Sequence, residues 1–153
     1  MADSITFMMG KFPALLPADR CYCRNHMWCQ QGDAGASRFG FTSYAVRLMQ
    51  DVYFLDWQVN AGNVLQLKQP IGHIETSKAM SDLFAPAAGT LLRFNEELLK
   101  DPSGINVDTY EAGWLFEMDA PQAETMSAPD YCQFLEANWE KTQRLIKGKI
   151  NES

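Results

Sequence analysis

The chain has 153 residues, 46% hydrophobic and 21% charged, with a formal net charge of −6 at pH 7 and a pI near 4.8. That length bounds one domain, or one domain with appendages. The acidic balance excludes a nucleic-acid footprint, which needs clustered Lys and Arg, and argues against an anionic membrane surface, while no apolar run is long enough to span a bilayer.

From the beginning, Met1-Ala2-Asp3-Ser4 has no basic n-region and Phe7-Met8-Met9 is too short an apolar core for a signal peptide. A cytoplasmic protein is therefore expected, with its four cysteines kept as thiols. Residues 1–20 hold Pro13 and Pro17 and show no clear period, so an irregular arm is expected there. The segment Cys21-Tyr22-Cys23-Arg24-Asn25-His26-Met27-Trp28-Cys29 leads into a strand, and residues 30–37, with Gly32-Asp33-Ala34-Gly35, form a turn. A short strand over 38–41 precedes a short helix over 42–48, for which Thr42 is the N-cap. Residues 51–57 are apolar, aromatic and β-branched, which favours a strand. A turn at 60–63 follows, then one or two strands over 64–74 with a break at Pro70-Ile71-Gly72.

Further on, a strand over 89–96 runs into a helical turn at 96–100, ended by Asp101-Pro102-Ser103-Gly104. Residues 105–108 read as a connector and 113–118 as the last strand. A final helix starts near Ser127, carries Pro129 in its first turn and runs to about Lys147. Tyr131, Phe134, Leu135, Trp139 and Leu145 share one face of it, which docks on the body of the protein, while Lys141, Arg144, Lys147 and Lys149 make its end basic. Short strands at regular spacing with turns between them predict a mainly β sandwich or flattened barrel. The expected organisation is an arm over 1–20, a domain over 21–126 and a packed helix over 127–153.

Between two apolar runs lies Glu75-Thr76-Ser77-Lys78-Ala79-Met80-Ser81-Asp82, which reads as a hairpin tip presenting Lys78. A lysine ammonium is a flexible point charge and a target for acylation. Glu75 lies three residues before Lys78, and Ser81-Asp82-Leu83-Phe84-Ala85-Pro86 and Gly89 follow it. This segment resembles the lipoylation site of the H protein of the glycine cleavage system and its relatives. Biotin carriers, which share the hairpin architecture, flank their lysine with Met on both sides; here the flanks are Ser77 and Ala79. Asn25-His26-Met27-Trp28, Gly40-Phe41-Thr42-Ser43-Tyr44-Ala45 and Gly113-Trp114-Leu115 extend the resemblance over roughly residues 23–118. It implies a barrel-sandwich hybrid of the lipoyl/biotinyl kind, with a short helix before the core strands and a C-terminal helix. It further implies lipoate in amide linkage on Lys78, Glu75 and Gly89 as features read by the modifying enzyme, and a carrier rather than a catalyst.

Two departures bear on the pathway. Where the family has a Glu and a His lining the cleft that takes its loaded arm, this chain has Met27 and Leu48. A buried cationic amine needs a carboxylate or an acceptor; Met27 and Leu48 offer an apolar cleft suited to sulfur. The resemblance therefore leans to the lipoate-binding proteins of the heterodisulfide-reductase-like sulfur oxidation system. Its partners would be a lipoate–protein ligase or lipoyl assembly enzymes and the heterodisulfide-reductase-like complex. The alternative is a glycine-cleavage H protein carrying aminomethyl, with glycine decarboxylase, aminomethyltransferase and dihydrolipoamide dehydrogenase as partners. A third reading is an unlipoylated interaction module, against which Lys78 and its flanks count. A monomer is expected, and no metal.

Cys21, Cys23 and Cys29, beside His26, admit redox or sulfur-relay thiols, inert thiols, or zinc, for which Cys-x-Cys is a weak pattern. On a strand, Cys21 and Cys23 would share a face. His73, five residues before Lys78, is either an exposed strand histidine or an acid–base group.

Overall fold

The computed structural model describes residues 4–32, 35–121 and 123–151, the last nine of these by backbone alone. Its chain order is β1 (Ser4–Met9), β2 (Phe12–Pro17), β3 (Cys21–Tyr22), β4 (Met27–Gln31), β5 (Ala36–Phe41), α1 (Ser43–Met49), β6 (Val52–Trp57), β7 (Val64–Leu65), β8 (Pro70–Thr76), β9 (Met80–Phe84), β10 (Gly89–Phe94), α2 (Glu96–Lys100), α3 (Gly104–Val107), β11 (Trp114–Asp119) and α4 (Ala128–Asn151). Among the described residues the strands form a six-stranded sheet in the order β3-β4-β5-β11-β10-β7, a three-stranded sheet β6-β8-β9 and a separate hairpin β1-β2. The architecture is the mainly β, lipoyl-like sandwich with a C-terminal helix, and the sheets do not close into a barrel.

Why the sheets stack is legible strand by strand. β6 turns Val52 and Leu55 inward and leaves Tyr53 and Phe54 exposed; β8 turns Ile74 and Thr76 inward. Val52, Leu55 and Ile74 meet Phe39, Leu91 and Leu115 from the larger sheet in one core, as face-to-face packing of half-buried strands requires. Leu115, Phe116, Glu117 and Met118 are all buried in β11, because this central strand is covered on both faces. On its second face Glu117 is covered by Arg93 and Arg38, and Trp114 packs against a smaller core in which Trp28, Tyr22 and Tyr44 meet the hairpin residues Phe7 and Leu16 and the α4 residues Tyr131 and Leu135.

The N-terminal hairpin departs from the irregular arm expected over 1–20. Met9 pairs with Phe12, so the turn is Gly10-Lys11, with Gly10 at φ 64°, the left-handed conformation that such a tight hairpin requires. Phe7, Met9, Ala14 and Leu16 alternate inward, but the two prolines hid this period. Pro is tolerated here because the hairpin has only edge strands. Other boundaries moved for similar reasons. The break expected at 70–72 falls over 66–69, where Lys68 has φ 68°, and Pro70 opens β8, at the first strand position, where its missing N–H costs nothing. The connector expected over 105–108 contains α3. β3 ends at Tyr22, so Cys23 is not on a strand with Cys21; its N–H instead donates to the Met27 carbonyl (2.8 Å) and closes a loop.

The helices are capped as their sequences suggest. Thr42 accepts from the Ala45 N–H at 3.1 Å, and its hydroxyl also meets the Tyr131 hydroxyl at 3.1 Å, so the cap of α1 is tied to α4. Tyr131 and Leu135 are buried, and Trp139 meets Phe7 edge-on with ring centroids 5.6 Å apart. Leu145, Arg144, Lys147 and Lys149 lie outside the described side chains. No helix of the described residues is long and apolar enough to cross a membrane.

His26 sits under this helix, its Nδ1 2.9 Å from the Tyr131 hydroxyl. Burial lowers its pKa from the usual 6.5 to about 4. The unfolded chain therefore binds the proton more readily, and stability must fall as pH drops from about 6.5 to about 4. Urea unfolding across that window is expected to show a loss on the order of 2–3 kcal/mol that His26→Gln removes. An equal slope in both proteins would assign the acid sensitivity elsewhere.

Candidate functional site

Lys78 stands on the loop 77–79 joining β8 to β9, directly beyond the Glu75–Met80 pair. Thr76 makes this tip rigid. Its side chain is only 6% exposed, and its hydroxyl accepts from the N–H groups of Lys78 and Ala79 and donates to the Ala79 carbonyl, all at 3.2 Å. The Thr76 N–H donates to the same carbonyl at 2.9 Å. A threonine hydroxyl that mimics a backbone turn in this way is a local device, signalled in the sequence only by a Thr at the start of the turn. Behind the tip, Thr76 pairs with Val52, whose N–H and C=O are both held by the Asn106 side chain on α3 at 3.1 and 3.0 Å. Lys78 itself is exposed, and among the described residues no ion pair involves it. The chain thus presents an unpaired amine on a fixed backbone.

Replacing Thr76 with Ala removes three of these bonds. The expected cost is about 1–2 kcal/mol in urea unfolding, together with slower modification of Lys78 by a purified lipoate–protein ligase, followed by intact mass. Unchanged modification would show that the enzyme does not need a preformed tip.

Two depressions share Leu48, Met49 and Ser81 on their walls. The smaller, about 190 Å³, brings together the two residues predicted for the arm cleft: Met27 and half-buried Leu48. Met27 is only 2% exposed. Asp82, Leu83 and Phe84 complete its other side. The larger, about 1260 Å³, is an open groove lined by Lys78 and Ala79 and by residues of α1 and the N-terminal hairpin. An exposed amine at the mouth of an open groove fits a long acyl arm.

Comparison with known proteins bears on this arrangement. The profile of the glycine cleavage H-protein family matches residues 20–138. The chain belongs to the glycine cleavage H-protein family. A glycine cleavage system H protein of Streptomyces coelicolor is 32% identical over 121 residues, which span 77% of this chain and 95% of that protein. One from Psychrobacter cryohalolentis is 36% identical over 103 residues, spanning 67% and 81%. The crystal structure of the glycine cleavage system H protein from Mycobacterium marinum matches with a TM-score of 0.68 at 32% identity, covering 77% of this chain and 97% of that one. H proteins are lipoyl carriers, not catalysts, and hold lipoate covalently on a lysine. These relatives are named for glycine cleavage, so the finer expectation of a sulfur-oxidation branch has no support among them, and the alternative does.

Within the H-protein frame, the remaining residues singled out from sequence fall into place differently. Glu75 is half-buried on β8, opposite Phe54 and Met80. Gly89 begins β10, and a Cβ there would run into the carbonyl oxygen of Asp119, so backbone approach alone demands glycine. His73 rests beside Phe54, ring centroids 5.6 Å apart, paired across from Asp82. Cys21 and Cys29 are register partners on β3 and β4. Burial pushes the Cys23 thiol up to about 12 and the Cys29 thiol up to about 11. Both are therefore protonated at neutral pH and weak nucleophiles. Among the described residues no group of three or more His, Cys, Asp and Glu is arranged to hold a metal ion.

Proposed function

We propose that Lys78 carries lipoate in amide linkage and that the chain serves as a glycine-cleavage H protein. It would pass aminomethyl from the glycine decarboxylase to the aminomethyltransferase and be reoxidised by dihydrolipoamide dehydrogenase, as a monomer in the cytoplasm. A lipoate–protein ligase or lipoyl assembly enzymes would modify it. The observation that carries this reading is the unpaired Lys78 on a tip pinned by Thr76. Bound lipoate supplies a cyclic disulfide that opens to a dithiol at the end of a flexible arm. The protein's share is to hold the attachment point still, so that a tethered group meets successive enzymes at high effective concentration. Glu75 stands beside the tip where a modifying enzyme would read it, and Gly89 lets β10 lie close against the Asp119 backbone.

One observation favours a second reading. The Met27–Leu48 cleft holds neither of the family's two polar side chains, and Met27 is buried. A cationic aminomethyl group would find no partner at these two positions and would have to turn to Asp82 on the other side of the cleft, whereas sulfur cargo would meet a soft apolar wall at Met27 and Leu48. On that reading the carrier presents sulfur to a heterodisulfide-reductase-like complex. Cys21, Cys23 and Cys29 would then supply thiols only if docking exposed them.

Mass analysis of the Lys78 peptide, from protein isolated out of its own host without reduction, tests both readings. A lipoyl increment that gains aminomethyl on glycine feeding is the expected result. Extra sulfur on the lipoyl group would move the protein to sulfur oxidation. A bare Lys78 would sink the carrier assignment.

A further inference from the structure

We propose that the arm on Lys78 rests in the larger groove, between α1 and the β1–β2 hairpin, rather than in the Met27–Leu48 cleft. The placement depends on Lys78 being lipoylated, and it adds where the arm goes. Lys78 lines the larger groove and does not line the smaller cleft. A tethered group samples first the surface that adjoins its own tether. Size counts against the cleft: pockets that bury a small ligand start at roughly 300 Å³. The cleft holds about 190 Å³, and the groove about 1260 Å³.

The groove also has a wall of its own. Met9, Phe12 and Pro13 come from the hairpin, which precedes the family match beginning at residue 20, and Trp139 comes from α4 just beyond its end at residue 138. Phe12 is 49% exposed in the groove, and the Arg47 guanidinium lies over its ring, 3.5 Å from the centroid. The wall is anchored from behind by the edge contacts of Phe7 with Trp139 and Tyr44. An aliphatic arm ending in a disulfide suits this lining, since Met9 and Met49 offer polarizable thioethers beside an aromatic ring. The hairpin is thus a resting wall for the arm.

The test uses the full chain before and after lipoylation, with intact mass confirming a single lipoyl group. Amide shifts in an ¹⁵N-resolved NMR spectrum are expected at Met9, Phe12, Val46 and Arg47 and at the Trp139 indole. Shifts confined to Met27, Phe41 and Leu83 would overturn the placement and leave the carrier function standing, as would shifts at 77–79 alone. A chain that takes no lipoyl group would sink the Lys78 assignment and this placement with it. As a second readout, Phe12→Ala, at a half-exposed position, should raise several-fold the rate at which iodoacetamide alkylates the reduced arm, measured on the Lys78 peptide. An unchanged rate would also overturn it.

Discussion

Lys78→Arg is expected to abolish lipoylation and every activity that depends on it, and to leave the fold intact. Attachment of an acyl group needs a primary amine that can lose a proton and attack; a guanidinium stays charged and delocalised and does neither. The fold should not notice, because the Lys78 side chain is exposed and makes no ion pair, while the tip is held by Thr76 and by backbone groups that any residue supplies. The change in unfolding free energy should stay within about 0.5 kcal/mol. Intact mass after incubation with a lipoate–protein ligase, alongside urea unfolding, reads both halves of the expectation. A lipoyl group on another residue of this variant would refute the assignment of Lys78. A large loss of stability would show that the tip is built differently.

Trp28→Ala should cost about 3–5 kcal/mol, a large part of the roughly 5–15 kcal/mol that holds an ordinary domain together. Trp28 is 1% exposed and joins β4 to nearly everything on the second face of the larger sheet. Its indole N–H donates to the Thr109 carbonyl at 2.9 Å, and the Arg20 guanidinium lies 5.2 Å from its ring. Gly40 on the neighbouring strand leaves room for it, since a Cβ there would come within 2.6 Å of the indole. Removing the ring leaves a cavity, an unpartnered carbonyl and an Arg20 whose buried Nε already lacks a partner. The midpoint in urea should fall sharply with little change in slope. A loss under about 1 kcal/mol would mean that the hairpin and α4 collapse into the space, contrary to the limited relaxation of packed cores.

The site was more legible than the frame around it. Lys78, Glu75 and the flanking residues form one continuous stretch, and a hairpin tip is a local structure, so its position on a β8–β9 turn could be read without knowing what packs behind it. The Thr42 cap and the α4 start at Ser127-Ala128-Pro129 are local in the same sense. The N-terminal hairpin was not readable, although its alternation is there in Phe7, Met9, Ala14 and Leu16. Pro13 and Pro17 signal a break in any central strand, and only the absence of a sheet neighbour makes them harmless. The pathway was not legible for a related reason. Met27 and Leu48 line one small cleft, but two side chains do not define a cargo, and the named relatives favour glycine cleavage.

Alternation along β6 and β8, the cap at Thr42 and the hairpin tip around Lys78 are properties of neighbours in the chain, set by backbone geometry over two to four residues. The groove beside Lys78 is not. It exists because the hairpin at one end of the chain and Trp139 near the other are drawn to α1 by a shared apolar core. Burial of that kind is non-directional and joins residues at any separation, so no local pattern in either segment announces which surface it will wall.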